Sequence, residues 1–113
     1  MELYNRQITF TKNAAALILF IYSKGYACTF GDAFRSSEQA ALNAASGKGI
    51  KNSLHCQRLA IDLNLFDSDG KYLTEKEDYK QFGDFWKSLS LHNRWGGDFV
   101  HLVDSNHFEM QDL

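Results

Sequence analysis

Hydrophobic positions along the chain change period several times, and each period predicts an element. Phe10, Ala14, Leu17 and Ile21 step by four, three and four, the spacing of one helix face. Gly25 supplies a C-terminal stop, so a first helix is predicted from about Thr9 to Lys24, its apolar stripe serving as core. The aromatic-rich "YACTFGDAF" reads as a short strand. In "SSEQAALNAASG", Ser36 and Gln39 have capping-box spacing and Gly47 can close the helix between them. "GKGIKNS" is a loop. In "LAIDLNLF" the period drops to two: Leu59, Ile61, Leu63 and Leu65 take one face, Ala60, Asp62, Asn64 and Phe66 the other.

"DSDG" is a tight turn and "KYL" a returning strand. Thr74 and Glu77 form a second capping-box pair, opening a helix whose Tyr79, Phe82, Trp86 and Leu89 share a face. "HNRWGGD" breaks that helix, and "NHFEM" is a last short strand. Hairpin-type connections outnumber βαβ spacings, so the expected class is α+β: a small single domain, a short antiparallel sheet packed against helices.

The length of 113 residues suits one domain, 1–113, burying roughly two-thirds of the surface its unfolded chain exposes. A formal charge of -2 with scattered Lys and Arg provides no basic stripe, which sets nucleic acid aside as a partner. There is no proline, hence no Pro-rich linker. "MELYNRQITF" lacks the basic start and apolar run of a secretory signal, and "AAALILFIY" falls short of the ~20 residues that span a bilayer. The chain is therefore expected to be soluble and cytoplasmic as synthesised, without a transmembrane segment, and a monomer. Cys28 and Cys56 form neither a CxxC pair nor a disulfide framework and read as small, half-buried thiols.

Several polar residues need an explanation. Asp62 lies inside an alternating strand, where aspartate is disfavoured, although its face could simply meet solvent. His55 precedes that strand, and "DSNHFE" adds Asp104, His107 and Glu109 far downstream. A Ser53–His55–Asp62 nucleophilic triad fits poorly: Ser53 has no glycine-flanked elbow and sits too near His55 in sequence for in-line geometry. A metal site fits better. Catalytic zinc takes three protein ligands and leaves a fourth position for water, and His55, Asp62 and His107 supply that set. Asp104 could then act as general base, a role that needs a carboxylate beside the metal rather than on it.

Other residues take plainer readings. Cys56 points away if His55 points in. His101 could be a rival ligand or a substrate contact, though a flanking role is favoured. "FDSDG" has the wrong register for a calcium loop. Glu109 shares a strand face with His107 and could orient its imidazole.

Three segments together resemble a known family. "SLHCQRLAID" is similar to the S-x-H-x-x-G-x-A-x-D signature of the VanY-like D-alanyl-D-alanine carboxypeptidase group, which includes phage L-alanyl-D-glutamate endopeptidases. "WGGDFVHLVDSNHFE" resembles its second signature, W-G-G followed by D-x-x-H-F-(E/Q), and "AFRSSEQA" the segment carrying an essential arginine. The resemblance runs from about Gly25 to Glu109. It implies one zinc per chain at the sheet face, held by His55, Asp62 and His107, with Asp104 as catalytic carboxylate. It further implies that Arg35 steadies the substrate carbonyl and the oxyanion formed there, that Ser53 hydrogen-bonds behind a ligand, and that Trp95 walls the substrate groove. One position departs: the family glycine is Arg58 here, which would be strained if the site needs a positive φ.

The activity implied is zinc-dependent hydrolysis of an amide bond in the peptidoglycan stem peptide, as an L-alanyl-D-glutamate endopeptidase of the phage endolysin type, acting on the wall after release from the cell. The alternatives are a D-Ala-D-Ala carboxypeptidase or dipeptidase using the same site, and a non-catalytic wall-binding module on the same fold. An appended wall-binding domain is not expected.

Overall fold

A computed structural model describes residues 2–47 and 53–111. Most of the loop expected over 47–53 lies outside the described residues. The first helix, α1, runs Leu3–Ser23 and buries Phe10, Ala14, Leu17 and Ile21, the predicted stripe. It begins six residues earlier than its apolar period indicates. The added turns carry the exposed Leu3, Tyr4 and Ile8 and no side-chain cap, so neither core pattern nor cap marks their start.

The first strand, β1, covers only Ala27–Phe30, and helix α2 follows at Ser37–Ala45. Ser36 caps α2 by accepting the Gln39 N–H at 3.1 Å, while the Gln39 side chain turns to Asn43 instead of completing the box. A short 3-10 turn, Leu54–Gln57, leads into strand β2, Ala60–Phe66. Between them Arg58 adopts φ 57 and ψ 37, so the position where the family carries glycine does need a left-handed backbone. The Arg58 guanidinium lies 4.1 Å from the centroid of the Phe34 ring, a cation–π contact that offsets part of the strain.

Strand β3, Tyr72–Leu73, returns after the DSDG turn, in which Asp67 Oδ1 accepts the N–H groups of Asp69 and Lys71 at 2.9 Å. Helix α3 is Lys76–Ser88. Its capping box is Glu75 with Asp78, one residue later than the expected Thr74 and Glu77. Both pairs have the right spacing, and the pair of carboxylates suits the positive end of the helix dipole better. The segment expected only to break the helix also holds a strand, β4, Asn93–Trp95, before a 3-10 turn at Gly96–Asp98. The last strand, β5, is His107–Met110.

All strands pair antiparallel in the order β1-β2-β5-β4, with β3 on β2. The architecture is α+β, as the hairpin spacings predict. Leu59, Ile61, Leu63 and Leu65 point with Phe108 and Met110 into a core closed by α1 and α3. Trp86 sits at its centre, edge-on to both Phe10 and Phe108. No helix among the described residues is long and apolar enough to cross a membrane. The opposite face of the sheet carries Asp62, His107 and Glu109.

Candidate metal centre

The register of β2 on β5 makes Asp62 and His107 direct cross-strand partners, so their side chains rise together from one face of the sheet. His107 Nδ1 lies 3.1 Å from Asp62 Oδ1. His55 arrives from the 3-10 turn above and places Nε2 3.4 Å from the same oxygen. That turn is set by Ser53, buried, whose hydroxyl accepts the His55 N–H at 3.2 Å. Ser53 thus helps to set the turn that carries His55.

One donor atom from each of His55, Asp62 and His107 lies within 4.8 Å of the others. Ligand bonds of about 2.0–2.1 Å in a tetrahedral site put donor atoms about 3.3 Å apart. The two separations to Asp62 Oδ1, 3.4 and 3.1 Å, match that edge. The chemistry fits as well, since two imidazoles and one carboxylate form a usual catalytic zinc set. The trio could hold such an ion.

Without metal the three groups are tied by charge. Burial is the largest influence on Asp62 and raises its pKa, but hydrogen bonds and positive charge from His107 and His55 together bring it down to about 2. Burial likewise pulls His107 down, yet its hydrogen bonds to Asp62 and Glu109, with their charges, outweigh that and lift it to about 9. Asp62 and His107 thus face each other as an ion pair across the two strands.

Asp104 stands beside this set. Its Oδ2 is 3.9 Å from His107 Nδ1, and its side chain is half exposed. Burial first, and the Asp62 charge second, raise its pKa, against the pull of His107, His55 and Arg35. Its backbone is fixed by Gly96, whose carbonyl accepts the Asp104 N–H at 3.0 Å. A Cβ on Gly96 would fall 2.1 Å from the Asp104 carbonyl oxygen, so only glycine allows this approach.

Arg35 reaches the same region from the segment after β1. There Gly31 N–H donates to the Asp62 carbonyl and Asp62 N–H to the Asp32 carbonyl, continuing the contact with β2 beyond the regular strand. Asp32 Oδ2 accepts from Arg35 Nη2 at 2.7 Å, and the Arg35 N–H donates to the His55 carbonyl at 3.3 Å.

Trp95 borders the cleft of Lys87, Arg94 and Phe99, not the one that holds Asp104. It is 1% exposed, packed against Gly83 and Gly97, and its indole N–H donates to the Ser105 carbonyl at 2.7 Å. It braces the loop carrying Asp104. His101 is exposed and outside the donor set. Cys56 Sγ turns toward the Ser36 carbonyl at 3.9 Å, and neither cysteine is paired.

Two further groups were not legible as parts of the site. Asp32 holds Arg35, and Arg94 pairs with Glu109, which in turn accepts from His107 Nε2 at 2.7 Å. Arg94 lies in the strand hidden by the helix-breaking composition of "HNRWGGD"; its only sequence signal is its alternation with buried Asn93 and Trp95.

A family model described as D-alanyl-D-alanine carboxypeptidase matches residues 46–110, more than half of the chain. The chain belongs to this family. The match includes His55, Asp62, Asp104 and His107 and excludes Arg35. Among solved structures, the Serratia marcescens L-Ala D-Glu endopeptidase ChiX aligns with a TM-score of 0.64 at 20% identity, over 75% of this chain and 67% of its own. A variant of the vancomycin-resistance D,D-pentapeptidase VanY from a VanB-type cassette, in complex with Zn(II), aligns with a TM-score of 0.56 at 17% identity, over 89% and 70%. At these identities the likeness is one of fold. No curated protein matches the sequence.

Proposed function

We propose that the chain, as a single catalytic domain, is a zinc-dependent peptidase that hydrolyses the L-alanyl-D-glutamate bond of the peptidoglycan stem peptide. The observation that carries this reading is the division of labour among the acids. Asp62 is held ionised between two imidazoles, whereas Asp104 stands half exposed beside His107 with a raised pKa. Two carboxylates driven apart in this way suit a ligand and a proton carrier.

Zinc held by His55, Asp62 and His107 would supply Lewis acidity, the property that acidifies water and polarises a carbonyl. Asp104 takes the proton of the attacking water and returns it to the leaving amine. Arg35, aimed by Asp32, balances the negative charge that grows on the carbonyl oxygen. Ser53 takes no part in bond making.

The choice of bond rests on the cleft beside Asp104, about 280 Å³, lined by Tyr72, Thr74, Tyr79, Ser105 and Asn106 together with Val103. Hydroxyl and amide groups there suit the backbone of an internal peptide. ChiX, whose stated activity is on L-Ala–D-Glu, shares the fold. The same bond is the target of phage endolysins of the resembling group, so the proposed role is wall lysis. The second reading, trimming of a terminal D-Ala, is favoured by the description of the family itself.

Mass spectrometry of fragments released from purified peptidoglycan separates the two, run with chelator and with zinc restored. Stem peptides cut after L-Ala, lost on chelation and regained with zinc, are expected. Loss of D-Ala alone would move the protein to the carboxypeptidase reading. No fragment from folded, zinc-loaded protein would remove both and leave a wall-binding module.

A further inference from the structure

We propose that Glu109, anchored by Arg94, is a positioning residue that holds the His107 ring so that Nδ1 faces Asp62 and the metal. The inference rests on the metal-centre reading above and goes beyond it to groups outside the donor set. Glu109 is 5% exposed, two residues along β5 from His107 and therefore on the same face. Its two oxygens have separate duties. Oε1 accepts from His107 Nε2 at 2.7 Å, and Oε2 accepts from Arg94 Nε at 2.8 Å and from Arg94 Nη2.

The anchor is itself built into the sheet. Arg94 and Glu109 are cross-strand partners, and the Trp86 indole N–H donates to both of their carbonyls at 3.0 Å. The Arg94 guanidinium lies 5.3 Å from the centroid of the Phe99 ring, which in turn lies 5.8 Å from that of His107. An imidazole can rotate half a turn about its Cβ–Cγ axis and exchange nitrogen for carbon at both edges. Such a flip here would leave the buried Glu109 oxygen against a carbon and turn a carbon toward Asp62. Glu109 thereby selects the orientation in which the donor nitrogen faces the metal position, the carboxylate–histidine support known at zinc sites in general.

The test uses the full chain, with zinc affinity measured by competition against a chromophoric chelator. Long-range nitrogen–proton NMR of the zinc-loaded protein supplies a second readout, the His107 Nε2 proton. In wild type that proton is expected far downfield and slow to exchange. Glu109→Gln keeps the shape and removes the charge; it is expected to bind zinc about 10–100-fold more weakly and to move that resonance upfield with faster exchange. Glu109→Gln with unchanged affinity and an unchanged resonance would overturn the proposal and reduce the pair to a staple between β4 and β5. Should Glu109→Gln fail to fold, Arg94→Gln, at a half-exposed side chain, is expected to weaken zinc about threefold to tenfold with the same direction of NMR shift. An Arg94→Gln protein equal to wild type in both would overturn it equally. Wild-type protein that takes up no zinc would remove the metal reading itself, and this proposal with it.

Discussion

Asp62 and Asp104 carry the same side chain into opposite surroundings a few ångströms apart. The first lies between His55 and His107 and stays ionised; the second is partly desolvated and repelled by the first. This difference predicts a split in mutant behaviour. On the proposed mechanism Asp104→Asn removes the proton carrier and leaves the donor set, so zinc should be retained while turnover falls by about 10²–10⁴. His107→Ala should lose both. Metal analysis beside fragment release checks the pair, and zinc lost from Asp104→Asn would make Asp104 a ligand. The donor residues were legible in the sequence because side chains of scarce type recur at family spacing. Arg94 and Asp32 were not, since a single charged residue in a loop or short strand carries no spacing of its own. For Trp95 the signature marks a residue as needed without saying whether it faces substrate or the core, and the side chain is 1% exposed.

Among the elements, α3 and β4 approach most closely at a glycine. The Trp95 indole packs so closely on Gly83 that a Cβ there would lie 2.2 Å from the ring atom Cδ2. In a free helix Gly→Ala gains about 1 kcal/mol, so propensity alone predicts that Gly83→Ala stabilises. The ring cannot yield easily, because its N–H is held by the Ser105 carbonyl and Gly97 lies against its other atoms. Overpacking of this kind costs about 1–3 kcal/mol, enough to reverse the sign. Urea unfolding should therefore show Gly83→Ala less stable than wild type, with weaker fragment release because Trp95 braces the Asp104 loop. The helix α3 and strand β2 were legible from period alone, since each buries a full stripe. Strand β4 was not: three residues followed by two glycines show too little alternation to separate a strand from a turn, and only its pairing with β5 reveals it. The start of α1 was hidden in the same way, as its first turns bury nothing that the pattern could show.

At the scale of the whole molecule the centre links folding, protons and metal. In the metal-free protein Asp62 titrates at about 2 when folded, below the 3.8 of a free side chain, so its contribution is present above about pH 4 and is lost as pH falls through 2. His107 titrates at about 9 when folded, above 6.5, so its contribution is full below about pH 6.5 and is lost as pH rises through 9. Counted once for the pair, this is on the order of 2–3 kcal/mol. Metal-free stability should then be highest between about pH 4 and 6.5 and decline on both sides. Zinc reverses the alkaline arm. It needs His107 without its Nδ1 proton, so binding releases a proton and apparent affinity rises with pH toward 9, by up to about tenfold per pH unit. Because a ligand stabilises by its concentration relative to its dissociation constant, the increase in Tm with zinc should be small at pH 5.5 and large at pH 8. Thermal melts at fixed ionic strength and fixed free zinc, with and without the metal, measure this directly. A zinc-induced shift of equal size at both pH values would mean that the ion displaces no proton from His107. The His55–Asp62–His107 trio would then be an ion pair within the sheet, and the metal would bind elsewhere.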